Sequence, residues 1–155
     1  MGSGKTLIGA LVAERTGSPF RDLDLLVEEA AGMPIADIFA TGSEPAFRAL
    51  EAQLLPSALV PGAVVALGGG AVMDDASWRL VSSRAVTVYL EAPFGTLWER
   101  IQAEPGRPLV SGRSPREVEA LFERRRPRYE QAAHRVDGDR PADVVAAEVI
   151  RLWSD

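Results

Sequence analysis

The sequence predicts a single α/β domain in three layers, α/β/α, with a parallel sheet at the centre. Three observations carry that expectation. The chain opens on Met1-Gly2-Ser3-Gly4-Lys5-Thr6 and runs straight into an apolar-periodic helix, as the phosphate loop of a P-loop protein does. A continuous apolar run, Ala63–Leu67, has the character of a buried parallel strand, and Ala85–Leu90 reads as a second buried strand. Helical and extended segments alternate from end to end, with no repeat and no linker to divide them.

Taken in order, Lys5 to Thr16 is a helix with Leu7, Ile8, Leu11 and Val12 on one face and Gly17 as its stop. Ser18–Asp22 reads as a short strand ending in an acid, and Leu25–Ala31 as a helix closed by Gly32. Ile35–Phe39 is a short helical piece ended by Thr41-Gly42-Ser43. Glu44–Leu59 is a longer helix whose buried stripe is Phe47, Leu50 and Leu54. Pro61-Gly62 turns the chain into the first apolar run, and Gly68-Gly69-Gly70 follows it at once. A helix around Ala76–Val81 leads to the second run, and Pro93–Ile101 is helical again. Glu104–Arg113, rich in Gly, Pro and Arg and without a period, reads as a mobile loop. Ser114-Pro115 is an N-cap with a first-turn proline for a helix toward Tyr129, which Pro127 should kink or divide. His134–Asp137 is a last short strand and Pro141–Trp153 a closing helix.

Composition narrows the function classes. A net charge of −5 argues against a general nucleic-acid binder, which carries a basic face. The absence of cysteine excludes disulfides, thiol catalysis and Cys-based zinc sites, and the lone His134 cannot build a metal site by itself. No apolar run reaches the ~20 residues of a membrane-spanning helix. With no leader ahead of the phosphate loop, the expectation is a cytoplasmic protein.

The residues that carry chemistry fall in four groups. Gly2, Ser3 and Gly4 let backbone N–H groups curl around phosphate oxygens, and the helix N-terminus behind them adds positive potential. Lys5 is placed to reach the β- and γ-phosphates, and the Thr6 hydroxyl to ligate Mg²⁺. Asp22 and Asp24 stand two apart at the carboxyl end of a strand, where ligands of open α/β sheets bind; the bland alternative is a capping aspartate and a solvated one. Glu44, Arg48 and Glu51 lie along one helical line opposite Phe47 and Leu50, which in isolation reads as a surface ion-pair ladder. Gly68-Gly69-Gly70 asks for close backbone approach to something small and polar, or is only a flexible turn.

In their order along the chain these pieces resemble the shikimate kinase family. The matching text is Gly2-Ser3-Gly4-Lys5-Thr6, Asp22-Leu23-Asp24, Ile38-Phe39, and Glu44-x-x-Phe47-Arg48-x-x-Glu51. Then come Leu67-Gly68-Gly69-Gly70, Arg107-Pro108-Leu109 and Arg125-Arg126-Pro127-Arg128-Tyr129. The resemblance implies a P-loop kinase fold with a lid at about 104–113. It also implies ATP-dependent phosphorylation of shikimate in aromatic amino-acid biosynthesis, by a monomer using Mg²⁺. By the same resemblance Thr6 and Asp22 serve Mg²⁺, and Asp24 holds the shikimate hydroxyls and orients the attacking one. Arg48 and Arg125 clamp the carboxylate, Glu51 orders Arg48 and meets a hydroxyl, and Gly68, Gly69 and Gly70 offer backbone N–H groups. Arg107 stabilises charge on the transferred group, while Arg100 and Arg140 line the adenine pocket.

The sequence departs from the family pattern at Gly42, one place early, with Ser43 in the usual glycine position. The stretch between His134 and Pro141 is also about two residues short against the family pattern, which weighs on Arg140. Two rival readings stay open at this point: a gluconate-type small-metabolite kinase, and a non-catalytic relic that binds nucleotide or substrate.

The relic reading arises from the phosphate loop itself, whose first glycine would fall ahead of Met1 together with the strand that normally carries the loop. Four or five buried apolar side chains of such a strand would contribute on the order of 10 kcal/mol. Whole domains are stable by only about 5–15 kcal/mol. The 155-residue chain should therefore melt well below a version extended upstream by roughly a dozen residues, enough for one strand and the loop. Thermal unfolding of both, with and without ATP, checks this, and matched cooperative melting would contradict it.

Overall fold

The computed structural model describes residues 2–103 and 112–154. The lid expected at 104–113 falls mostly outside these residues, as does Arg107. Eight helices and four short strands alternate among the described residues. Helix α1 (Lys5–Thr16) is followed by β1 (Phe20–Asp22), then α2 (Leu23–Ala31), α3 (Ile35–Thr41) and α4 (Glu44–Ala58). Strand β2 (Val64–Ala66), α5 (Asp75–Arg84), β3 (Val88–Glu91) and α6 (Phe94–Ala103) come next. Helix α7 (Pro115–Tyr129), β4 (His134–Asp137) and α8 (Ala142–Ser154) close the chain.

The expected parallel pairing between helical layers is present, and it falls into two halves. β1 pairs with β2, with Phe20 opposite Val64 and Asp22 opposite Ala66. β3 pairs with β4, with Val88 opposite His134 and Glu91 opposite Asp137. Between the halves lies a cavity of about 450 Å³, lined by Val64 and Val65 of β2, Val88 and Leu90 of β3, and Ile8 and Val12 of α1. Because the strands of each pair run parallel and in register, the segments leaving β1 and β2 emerge side by side. Asp22 and the glycines after Ala66 are thereby neighbours, and the site is built there.

Helix faces explain the packing. Ile8 and Val12, one turn apart on α1, join Leu90, Val136, Val145 and Ala146 in one core cluster. Leu7 sits off that stripe and is exposed, so the face read from the sequence is narrower than four residues. On α4 the buried line is Phe47, Glu51, Leu55 and Ala58, with Leu50 and Leu54 at its flank. A charged residue thus occupies the centre of that face.

Helix ends follow their local chemistry. The Asp22 carboxylate accepts a hydrogen bond from the Asp24 amide at 3.0 Å, so α2 starts at Leu23, two residues before the periodicity suggested. Ser114 and Glu117 form a reciprocal capping box at the start of α7. Pro127 does not divide this helix, which runs unbroken to Tyr129. The proline lies in the last turn, with only two helical residues beyond it. No helix among the described residues is long and apolar enough to cross a membrane.

Candidate active site

The phosphate loop takes a shape that only glycine holds without strain. Gly2 and Gly4 have φ of 65° and 80°, and Gly4 caps α1 without any side-chain hydrogen bond to the first-turn amides. A Cβ on Gly2 would stand 2.6 Å from the Leu97 carbonyl oxygen, so the loop lies directly on α6. The first turn of α1 therefore presents its N–H groups toward the concave side of the loop, the arrangement that favours an anion.

Next to the loop, the Thr6 hydroxyl donates to Asp22 Oδ2 at 2.7 Å. Asp22 is buried, and its other oxygen caps α2. Both readings of the aspartate pair are thus combined in one residue, which caps a helix and faces the threonine. One hydroxyl and one carboxylate are hard oxygen donors, and a magnesium ion retains several waters and phosphate oxygens of its own. With both Asp22 oxygens already engaged, contact through water is the fit. No cluster of three or more His, Cys, Asp or Glu exists among the described residues, so this pair is the donor set to consider.

The opposite end of the crevice gathers Asp24 from the first turn of α2, Arg48 and Glu51 from α4, Gly68–Gly70 after β2, and Arg125 and Tyr129 from α7. Arg48 Nη1 meets Glu51 Oε2 at 2.6 Å, and Nη2 reaches Glu44 Oε1 at 3.4 Å. The guanidinium also lies over the Phe47 ring, 4.9 Å from its centroid. Glu51 is only 2% exposed, which overturns the surface-ladder reading: only Glu44 belongs to the rim. Helical periodicity places Glu51 four residues after Phe47, on the buried side, and the ion pair with Arg48 makes that burial tolerable.

The glycine triplet has a steric reason that the sequence did not reveal. A Cβ on Gly68 would lie 2.9 Å from Asp24 Oδ1 and 3.0 Å from Glu51 Oε1, and one on Gly70 would fall on the Arg48 guanidinium. None of the three has a left-handed φ, so at Gly68 and Gly70 the need is for space and not for backbone freedom. The Gly69 carbonyl accepts a hydrogen bond from Tyr129 Oη at 2.7 Å, a contact with no assigned role in the sequence reading. Its signal was present, because Tyr129 stands one turn after Arg125 and shares its face.

Burial raises the Glu51 carboxyl above its usual value of 4.5, with Arg48 pulling it down and Asp24 pushing it further up. Among the described residues its Oε1 has no hydrogen-bond partner. A buried acceptor left unpaired is costly, and a ligand hydroxyl would satisfy it.

Arg125 is buried, and its charge acts on both Glu51 and Tyr129. Arg100 and Arg140 lie apart from this cluster, at the turn after β4. Arg100 donates to the Gly138 carbonyl at 3.0 Å, and Arg140 pairs with Glu148 and Asp137. Lys5 and Ser3 line the cavity between the two strand pairs.

A family model, Shikimate kinase, matches residues 1–153 of the chain. The chain belongs to the shikimate kinase family. A shikimate kinase of Salinibacter ruber is 40% identical over 163 residues, covering 98% of this chain and 80% of that protein. One of Symbiobacterium thermophilum is 44% identical over 159 residues, covering 98% of this chain and 91% of that protein. Among solved structures, shikimate kinase of Acinetobacter baumannii in complex with shikimate superposes with a TM-score of 0.94 at 29% identity, over 99% of this chain and 88% of that one. The Aquifex aeolicus enzyme gives a TM-score of 0.87 at 32% identity, over 99% and 92%. As a shikimate kinase-type chain it has the α/β P-loop kinase fold.

The raised Glu51 carboxyl makes a prediction with a definite sign. The folded state holds this proton more tightly than the unfolded state, so the residue's contribution to stability falls as pH rises from 4.5 through the raised folded value. Glu51→Gln cannot titrate. Its melting temperature should therefore gain on that of the parent as pH rises above 4.5 and through the raised folded value. Paired thermal melts test this; a difference that stays flat or favours the parent at high pH contradicts it.

Proposed function

We propose that this chain transfers the γ-phosphoryl group of ATP to a hydroxyl of shikimate, acting as a monomer in the cytoplasm on two small soluble substrates. The observation that supports it best is the cluster beneath the glycine triplet. A half-buried arginine paired with a buried glutamate converges there with an aspartate, and one carboxylate oxygen lacks a partner among the described residues. Guanidinium forks suit a carboxylate and carboxylate oxygens suit hydroxyls, so the cluster matches a ligand bearing both.

In this reading Arg48 and Arg125 hold the carboxylate of the acceptor, and Glu51 Oε1 accepts from one of its hydroxyls. Asp24 orients the attacking hydroxyl and takes up its proton as the oxygen joins phosphorus. The bond from phosphorus to the bridging oxygen breaks, and ADP leaves with that oxygen. Gly2, Ser3, Gly4 and the first amides of α1 bind the phosphates, with Lys5 beside them. Thr6 and Asp22 hold the magnesium ion that accompanies ATP, which neutralises phosphate charge when bound. Arg100 and Arg140, at the turn after β4, border the adenine end. Little covalent chemistry is asked of the protein; positioning and electrostatics supply the rate.

A coupled ADP-release assay with shikimate and with gluconate tests the substrate, and gluconate turning over faster would overturn it. Asp24→Asn removes the group that orients the nucleophile and no phosphate contact. It should lower turnover by about a hundredfold or more, the usual reach of general acid–base groups, while nucleotide affinity stays within about twofold. Turnover within about tenfold of the parent would remove Asp24 from this role.

A further inference from the structure

Tyr129 links two parts of the candidate site that come from distant stretches of chain. It occupies the last turn of α7, one turn after Arg125, and its Oη donates to the Gly69 carbonyl at 2.7 Å. The Arg125 guanidinium acts on the same phenol, and burial keeps that phenol in its neutral, donating form. Its ring packs on Tyr89 of β3 with centroids 5.6 Å apart, so the hydroxyl is held at the end of a rigid lever. The neighbouring residue secures the same turn. Arg128 pairs with Asp75 and lies over the Trp78 ring at 5.8 Å, both on α5, the helix that follows the glycine triplet.

The consequence lies in one peptide unit. In a planar trans peptide the carbonyl of Gly69 and the N–H of Gly70 point in opposite directions. Fixing the Gly69 oxygen toward α7 therefore aims the Gly70 N–H away from α7. Gly70 itself borders the Arg48 guanidinium, since a Cβ there would overlap it. Three consecutive glycines have no side chains to set this orientation, and apart from Tyr129 the turn is held by the Ala71 N–H on the Gly68 carbonyl at 3.0 Å and the Met73 N–H on the Gly70 carbonyl at 3.1 Å. The proposal that follows rests on the reading of this crevice as the acceptor site.

We propose that Tyr129 is a positioning residue for the phosphoryl acceptor: it locks the Gly69–Gly70 peptide and couples the glycine triplet to Arg125, so that both meet the acceptor in one fixed arrangement. It touches neither ATP nor the reacting atoms. Its loss should weaken acceptor recognition and leave the phosphate end alone.

Tyr129→Phe keeps the ring and removes the hydroxyl. The KM for shikimate should rise about tenfold, kcat at saturation should fall by no more than about threefold, and the KM for ATP should stay within about twofold, because one buried carbonyl loses its donor at the acceptor end only. A second readout uses no catalysis. The Gly70 amide of the ligand-free protein, followed by NMR, should shift or broaden in Tyr129→Phe, while the amides of Gly4 and Lys5 keep their positions. A shikimate KM within about twofold of the parent, ATP and shikimate KM rising together, or an unmoved Gly70 amide would each overturn the proposal. Should the parent fail to phosphorylate shikimate at all, the functional reading falls, and the Gly70 amide still decides whether Tyr129 locks that peptide.

Discussion

The ion pair between Arg48 and Glu51 is the constraint to which the rest of the site conforms. Glu51 lies in the apolar face of α4 between Phe47 and Leu55, where an isolated carboxylate would not stay ionised. Arg48, three residues earlier on the same helix, makes its ionised form tolerable at 2.6 Å. Such buried pairs add little net stability, because desolvation offsets most of the attraction. The raised titration of Glu51 is the sign that desolvation prevails here. What the pair supplies is a fixed guanidinium and an unpaired carboxylate oxygen, held in place before any ligand arrives.

Everything around the pair makes room for it. The segment after β2 carries three glycines, since side chains at Gly68 and Gly70 would occupy the space of Asp24, Glu51 and Arg48. The in-register parallel pairing of β1 with β2 brings Asp22 and this segment out at the same edge, so Asp24 of α2 faces Gly68 directly. The Thr6–Asp22 hydrogen bond ties the phosphate loop to the start of α2, two residues from Asp24. The proposed phosphate and acceptor ends are thus joined through one short stretch of chain, which would suit an in-line transfer between them.

Much of this was legible in the sequence. The Gly-x-Gly-Lys-Thr opening, the apolar runs and the caps at Gly17, Gly32 and Ser114 are local signals, and each element they mark is present. Of the two readings of the Asp-x-Asp pair, the structure bears out the cap, since the strand ends where the first acid caps a helix. What escaped were facts of tertiary contact. Charge spacing alone could not tell that Glu51 points into the core, because a ladder on a surface has the same period. The triplet of glycines signalled closeness without naming the neighbour, and that neighbour turned out to be side chains of this same chain. The spacing of Tyr129 from Arg125 marked a shared face, but not the carbonyl sixty residues away that it meets. Pro127 misled for a local reason: it stands in the last turn of a helix that continues past it to Tyr129.

The central claim is that the triplet is bare of side chains so that Arg48 can stand where it meets the acceptor. A double-mutant cycle on shikimate affinity, measured by titration calorimetry, tests it most directly. Gly70→Ala should weaken binding by about tenfold in the parent, yet by less than about twofold in an Arg48→Ala background, where the overlapping guanidinium is already gone. Equal losses in both backgrounds would show that Gly70 serves something other than Arg48, and would contradict the account.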